Sequence, residues 1–293
     1  MHKFSFISVV SAARTSLFAV LLFIFPNVDV NLPTILTHQT TPQTSQQFEA
    51  QAVLDQGVQA FKNGQYEEAA QDFLRAKQLD PRLINARLYL ATTYASQYIP
   101  GQPGEQNSRH GQDAVEEFKG VLTLDQQNIS AIDGLGSMLF QMAGDPFDPD
   151  LFRESKSYHQ KHIDLRPRDP EPYYWIGVID WTLSFRANGQ YRAKYNLSVH
   201  GKQLRDNEPP PEDLREEYSR EYGPIIDEGI GCMKKALALR PDYDDAMAYL
   251  NLLYRRKTDT VATKTERDEL YQLADDLVDK VKEIKQQRAE HRQ

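Results

Sequence analysis

The segment Gly64-Gln-Tyr-Glu-Glu-Ala-Ala-Gln-Asp-Phe-Leu-Arg-Ala-Lys-Gln-Leu-Asp-Pro81 decides the fold of this chain. Its small residues Ala69 and Ala76 and its aromatic residue Phe73 recur at helical spacing, and Asp80-Pro81 ends the helix. The small side chains let a second helix approach closely, and the aromatic ring fills the space between the helices. The same frame starts again at four later positions, which are Ala114, Ser155, Gly229 and Ala274. The segment is therefore one copy of an internal helical repeat.

A second motif precedes each of these helices and completes a two-helix unit. It places one residue, small in four of five copies, at the same position each time: Gly57, Ala91, Gly136, Gly177 and Asn251. Together the two motifs resemble the tetratricopeptide repeat (TPR), a helix–turn–helix unit of about 34 residues. Four residues are polar where the TPR pattern usually has apolar side chains, namely Gln56, Arg87, His159 and Asp180. The segments 98–101, 171–181 and 240–254 also resemble a group of exported bacterial TPR proteins of unknown function.

The resemblance implies an all-α fold, a right-handed TPR solenoid of about five repeats. The predicted TPR domain covers residues 48–286, with repeats at about 50–83, 84–128, 129–169, 170–243 and 244–286. In repeats 2–5, extra residues fall between the two helices, whereas the boundaries between repeats keep their spacing. Neighbouring repeats bury their apolar faces against each other, which explains why those boundaries tolerate no insertion.

The longest insertion spans residues 183–222 of the fourth repeat. Its first part continues the preceding helix, and Pro209-Pro-Pro211 interrupts the chain. Glu212 and Asp213 then start a new helix, where acidic residues suit the positive end of the helix dipole. This pattern predicts an elongated helical hairpin with a kink at Gly223-Pro224.

Composition excludes several classes of protein. The chain has 293 residues, with 40 % hydrophobic and 26 % charged residues, which is ordinary for a soluble domain. Its 42 acidic and 34 basic residues give a net charge of −8, so it has no general attraction for nucleic acid. The single cysteine, Cys232, excludes an internal disulfide and a CxxC zinc site.

The N-terminus predicts export from the cytoplasm. Lys3 and Arg14 precede the apolar run Leu17–Phe25, which Pro26 closes. We assign residues 1–30 to a signal peptide or signal anchor, 31–47 to a flexible Thr/Gln/Pro-rich linker and 287–293 to a charged tail. The expected location is the periplasm, free or anchored at the inner membrane by an uncleaved N-terminal segment.

No known catalytic or nucleotide-binding motif occurs in the sequence, and we predict no cofactor and no metal site. His159 and His162 have a spacing that suits two ligands of one metal, but both fall at packing positions of the repeat. Asp145, Asp148 and Asp150 alternate as in a calcium loop, but the glycine and distal glutamate of that loop are missing. These residues are therefore interpreted as packing and turn residues.

The TPR resemblance implies a partner-binding groove lined by the first helix of each repeat. The groove residues that we single out are Asn85, Asp133, Phe140, Tyr174, Trp181, Arg255 and Arg256. The Lys and Asn pair with which some TPR domains clamp a terminal carboxylate is missing, which argues against that ligand. The aromatic residues of the groove remain as candidate binding residues, because aromatic side chains dominate binding energy where they are exposed. In the alternative arrangement, the hairpin covers these aromatic residues and buries them in the core.

The leading prediction is a non-catalytic module that binds a protein or peptide in its groove, outside the cytoplasm. The first alternative is a structural or assembly factor that acts through its outer face and the hairpin at 183–222. The second alternative is a small-ligand pocket or enzyme beneath that hairpin. Such an enzyme needs a buried carboxyl group with a raised pKa, which Asp180 would supply.

Overall fold

We describe a computed structural model of the chain, which covers residues 45–199, 203–206 and 208–290. These residues form ten α-helices and no strand. The helices are α1 (Ser45–Lys62), α2 (Tyr66–Leu79), α3 (Ile84–Gln97), α4 (Glu105–Leu124), α5 (Ile129–Met142), α6 (Pro149–Leu165), α7 (Pro170–Ser198), α8 (Glu212–Leu239), α9 (Asp244–Lys257) and α10 (Lys264–Glu290).

Consecutive helices pack against each other as pairs. The most extensive packing joins α7 to α8, α1 to α2, α3 to α4 and α9 to α10. In addition, α7 contacts α9 and α1 contacts α3, so first helices of adjacent pairs touch. The pair α5–α6 is joined by the Ser155 hydroxyl, which donates to the Gly136 carbonyl over 2.7 Å. The predicted all-α TPR fold is confirmed.

The two sequence motifs meet where the helices of a pair cross. A methyl group added to Gly57 would lie 2.7 Å from the ring of Phe73, and one added to Gly136 would lie 2.7 Å from the imidazole of His159. In these two pairs, the bulky residue of the second helix therefore occupies the space that a missing side chain leaves on the first helix. This contact explains why the repeat alternates small and large residues.

The described chain forms two compact units, which divide between Gly134 and Leu135. The core of the first unit is built around buried Phe73 and Leu90. The core of the second unit includes buried Ile179 and Met233. Each unit thus has an apolar core of its own.

Aspartates and prolines set the helix starts in the second unit. The Asp148 carboxylate accepts from the backbone N–H of Asp150 over 2.9 Å and of Leu151 over 3.1 Å, and Pro149 follows it as the first residue of α6. The segment around Asp148 is therefore a turn and a helix cap, in agreement with its interpretation from the sequence.

The predicted hairpin consists of the C-terminal part of α7 and the N-terminal part of α8. These helices have 29 and 28 residues, and α8 begins at Glu212, directly after the three prolines. Pro224 lies inside α8. The Tyr218 hydroxyl donates to the Ser184 carbonyl over 2.9 Å and joins the two helices.

The ends of the chain lie partly outside the described residues. The predicted signal segment, residues 1–30, and most of the predicted linker lie outside them. Residues 45–47 of the predicted linker belong to α1, and residues 287–290 of the predicted tail belong to α10. Over the part of the chain that the structure covers, no helix combines the length and apolar character needed to cross a bilayer.

Candidate functional site

The second unit carries a row of aromatic side chains along α7 and α9, which we call the aromatic face. It consists of Tyr174, Trp181 and Phe185 from α7 and Tyr249 from α9. The ring centroid of Tyr249 lies 5.7 Å from that of Tyr174 and 5.5 Å from that of Trp181, and both contacts are edge to face. Trp181 in turn stacks on Phe185, with 5.1 Å between ring centroids. The four rings therefore form a continuous surface across two helices.

The aromatic face lies at the protein surface, above the core of the second unit. Trp181 and Phe185 are four residues apart, so they share one side of α7. The ring of Phe185 is 43 % exposed, whereas Tyr174, Trp181 and Tyr249 are half-buried. Val178 and Leu250, on the same two helices, are buried in the core. The core thus supports the rings from one side and leaves part of their surface to solvent.

Carboxylates border the face where α7 and α9 begin. Glu171 accepts a hydrogen bond of 2.8 Å from the Tyr243 hydroxyl and pairs with Arg240 over 2.8 Å. Burial raises the pKa of Tyr249 to about 12, and Asp245 adds to the increase. Burial also raises the pKa of Tyr174, with further contributions from Tyr249, Asp245 and Glu171. This end of the face therefore carries carboxylates, of which Glu171 is paired with Arg240.

Guanidinium groups border the opposite end of the face. Arg256 lies over the ring of Phe185, 5.4 Å from its centroid, and pairs with Asp259 over 2.8 Å. Arg186, the residue after Phe185, lies over the ring of Phe147 at 5.4 Å. Because Tyr249 neighbours Tyr174 and Arg256 neighbours Phe185, α7 and α9 run in the same direction. The face thus has one acidic and one basic end.

The structure separates the groove residues proposed from the sequence. Tyr174 and Trp181 belong to the aromatic face and Arg256 lies at its basic end, whereas Arg255 turns toward α10 and pairs with Asp275. Phe140 is buried and packs against Phe152 and Trp175, so it is part of the core and we leave it out of the candidate surface.

The two remaining groove residues belong to the first unit. Asn85 is exposed on α3, and Asp133 is half-buried on α5. Sequence reasoning missed Phe185 and Tyr249. The spacing of Phe185 from Trp181 was a signal for the first, and the position of Tyr249 beside the groove residue Ala248 was a signal for the second.

Asp180 lies in an ion pair beneath the surface of the second unit. Its Oδ1 is 2.6 Å from the Lys156 Nζ, which also lies 3.0 Å from a carboxylate oxygen of Glu228. Burial raises the pKa of Asp180 to about 7, and Lys156 opposes that shift. Burial disfavours the Lys156 ammonium, but Asp180 and Glu228 outweigh burial and raise its pKa. The Asp180 side chain is 0 % exposed.

Cys232 lies in the electrostatic environment of the same group. Burial raises the pKa of its thiol to about 12, and Asp180 and Glu228 raise it further. The thiol is therefore protonated at neutral pH, and the thiolate is the form that acts as a nucleophile.

The two histidines of the third repeat are packing residues. His159 stacks on Trp175 with 5.9 Å between ring centroids, and burial followed by the charge of His162 lowers its pKa to about 3. His162 lies 3.4 Å from Asp169. No group of three or more metal-binding side chains occurs in the described part of the chain.

Arg87, another polar residue that departs from the TPR pattern, has a long-range partner. Arg87 pairs with Glu117 over 3.1 Å, and Glu117 also pairs with Lys77. This group of charges joins α2, α3 and α4 within the first unit. Arg87 therefore replaces an apolar contact with an ion pair.

Comparison with known proteins identifies the fold of this chain. No family model and no curated protein matches the sequence. Among solved structures, a crystal structure of MamA protein is similar, with 18 % identity over 83 % of this chain and 94 % of that chain and a TM-score of 0.55. MamA 41-end from Desulfovibrio magneticus RS-1 is also similar, with 15 % identity over 82 % of this chain and 96 % of that chain and a TM-score of 0.53. These likenesses and the paired helices show that the chain has a TPR-like fold.

Proposed function

We propose that this protein is a non-catalytic module that binds a peptide or protein segment on the aromatic face. The observation that carries the proposal is the continuous row of Tyr174, Trp181, Phe185 and Tyr249, part of which faces solvent. Large aromatic side chains supply most of the binding energy at protein interfaces when a partner covers them. Because the four rings already contact one another, little side-chain entropy is lost when a ligand binds.

The surroundings of the reactive side chains support a non-catalytic role. An enzyme beneath the hairpin would need Asp180 to reach a substrate, but this side chain is enclosed and neutralised by Lys156. Burial is the main cause of the raised pKa of Asp180. Ion pairs with a purely structural role also have shifted pKa values, so the shift is not evidence of catalysis. The pKa of the Cys232 thiol is raised, whereas a nucleophilic cysteine needs a lowered pKa.

A peptide selection tests the proposal directly. The full chain is immobilised, and a phage-displayed library of random peptides is selected against it. Enriched peptides are synthesised, and their affinity is measured for the wild type and for Phe185→Ala. We expect Phe185→Ala to weaken binding about tenfold, because an interface anchor contributes more than about 1 kcal/mol.

Phe48→Ala is the matched control. Phe48 lies on α1 and is 62 % exposed, so its truncation removes the same ring from a different surface. Affinity in this variant should equal that of the wild type, and circular dichroism should show both variants folded. Equal affinity of wild type and Phe185→Ala for every enriched peptide, or no enrichment at all, would contradict the proposal.

We further propose that the module acts outside the cytoplasm. The support is the sequence pattern of Lys3, Arg14 and the apolar run Leu17–Phe25, which is typical of an export signal. In bacterial spheroplasts, protease added from outside should degrade the full chain, and a variant with Leu21→Arg and Leu22→Arg should stay protected. Protection of both forms would exclude export.

A further inference from the structure

The aromatic face has one exposed charge of each sign near its ends. Asp245 is exposed at the start of α9, and Arg186 is exposed on α7 directly after Phe185. Within the described residues, neither side chain forms a hydrogen bond or an ion pair, although Arg186 lies over the ring of Phe147. Burial and Asp244 raise the pKa of Asp245, and Lys285 of α10 opposes that shift. Most neighbouring charges are neutralised within the protein, such as Glu171 by Arg240 and Arg256 by Asp259.

The residues of α9 that follow Asp245 leave space for a peptide. The exposed residue between Asp245 and Tyr249 is Ala248, whose side chain is only a methyl group. Leu252, one turn further, is half-buried. The side of α9 between Asp245 and the basic end is therefore apolar.

From this charge pattern we propose that the ligand is an extended peptide segment with a basic residue at the Asp245 end, an acidic residue at the Arg186 end and apolar residues between them. This inference rests on the proposed function and specifies the chemistry of the partner. Charges at the edge of an apolar contact chiefly set specificity and orientation, whereas the apolar contact supplies affinity.

The helix geometry gives the spacing of the two charges in the ligand. Asp245 lies near Tyr174 of α7, and Arg186 follows Tyr174 by 12 residues on the same helix. Twelve residues correspond to about 18 Å at a helical rise of about 1.5 Å per residue. An extended peptide covers about 3.3 Å per residue, so its two charged residues should be about five positions apart.

Synthetic peptides test this charge pattern. The probes are eight-residue peptides with leucine and proline between two charged positions five residues apart, carrying Lys and Glu in either order, Lys twice or Glu twice. Affinity is measured by fluorescence anisotropy at low ionic strength. The wild type should bind one of the mixed Lys/Glu peptides about threefold to fivefold more tightly than the two like-charged peptides, as expected for exposed ion pairs.

Charge reversal in the protein should change that ranking. Asp245→Lys should prefer the peptide with two Glu, and Arg186→Glu should prefer the peptide with two Lys. The matched controls are Asp279→Lys on α10 and Arg109→Glu on α4, which reverse exposed charges elsewhere. Both controls should keep the wild-type ranking.

The outcomes separate this inference from the proposed function. If Phe185→Ala weakens binding but the ranking of the probes is the same in Asp245→Lys and Arg186→Glu as in the wild type, the charge pattern is wrong and the peptide-binding role stands. If no probe binds the wild type, the inference is also overturned, and the library selection alone then decides the proposed function.

Discussion

At the scale of single residues, buried polar side chains in this protein have partners that lie far away in the sequence. Arg87 pairs with Glu117 and Asp180 pairs with Lys156. Arg87 and Asp180 also each have one buried side-chain atom without a hydrogen-bond partner among the described residues, as has the Nε2 of His159. His159 differs because it forms no ion pair within the described part of the chain. A buried imidazole of this kind must stay neutral, which makes it a source of acid sensitivity.

His159→Leu should reduce that acid sensitivity. Burial lowers the pKa of His159 from 6.5 to about 3, so the unfolded chain binds a proton that the folded chain does not. The wild type should therefore lose stability as the pH falls from about 6.5 toward 3, by up to about 1.4 kcal/mol per pH unit. The free energy of unfolding, measured with urea between pH 7 and pH 4, should fall less steeply in His159→Leu. Parallel curves for the two proteins would show that His159 is not the group responsible.

At the scale of helices, packing depends on residues that lack a side chain. A methyl group at Gly229 of α8 would lie 2.9 Å from the Cβ of Asp180 and 3.1 Å from Leu253. At Gly231, two residues along the same helix, nothing lies within 4 Å. The two glycines therefore separate the effect of close packing from that of helix propensity.

Gly229→Ala and Gly231→Ala should change stability in opposite directions. The first forces atoms attached to two other helices to move, and such overpacking costs about 1–3 kcal/mol. The second adds a better helix former to an open position and should stabilise the protein by about 0.5–1 kcal/mol. Thermal unfolding of both variants measures the difference. A stabilising Gly229→Ala would show that α7 and α8 are less closely packed than described.

A buried arginine holds the connection of the long hairpin. Arg192 donates to the carbonyl oxygens of Arg205 over 2.9 Å and Glu208 over 3.0 Å. It also donates to Asp259 over 2.8 Å and to the side chain of Asn188 over 2.8 Å. One side chain therefore ties the segment before α8 to α7 and to the turn after α9.

Arg192→Met should loosen this connection. The substitution removes one of the two arginine partners of buried Asp259, and Arg256 still pairs with it over 2.8 Å. The protein should therefore lose less than the about 3–5 kcal/mol that breaking a whole buried ion pair costs. Amide hydrogen exchange at Leu204, whose N–H donates to Asn196 over 2.7 Å, should become faster. Lys194→Met, at a position 80 % exposed on the same helix, is the control and should leave exchange unchanged. Unchanged exchange in Arg192→Met would mean that other contacts hold the segment.

At the scale of the whole molecule, each compact unit has its own apolar core. In proteins built of repeats, stability is approximately the sum of the repeats and of the interfaces between neighbours. A local loss of packing should therefore affect the unit that contains it more than the rest of the chain.

Phe73→Ala tests this behaviour. Phe73 is 0 % exposed and stacks on Tyr89 in the first unit, and truncation of a buried Phe costs about 3–5 kcal/mol. Hydrogen exchange should accelerate in α1–α3 more than in α7–α9. The exposed Phe48→Ala should change stability by less than about 0.5 kcal/mol. Equal acceleration in both units would show that the chain unfolds as one cooperative body.

Residues close together in the sequence were sufficient to determine the helices and the TPR-like fold. Helical spacing places Ala69, Phe73 and Ala76 on one side of a helix, and Asp148 with Pro149 starts another, because these effects act within one or two turns. The small residues Gly57 and Gly136 likewise pointed to close helix contacts. Such features repeat at a constant period, which made them recognisable without a structure.

Only the tertiary structure decided which aromatic and polar residues reach the surface. Phe140 and Trp181 occupy equivalent positions in the repeat pattern, yet Phe140 is buried against Phe152 whereas Trp181 joins the aromatic face. Arg192 and Asp259 are 67 positions apart, and nothing local in the sequence pairs them. Burial and ion pairing depend on which helices lie side by side, because desolvation and Coulomb interactions act through space and not along the chain.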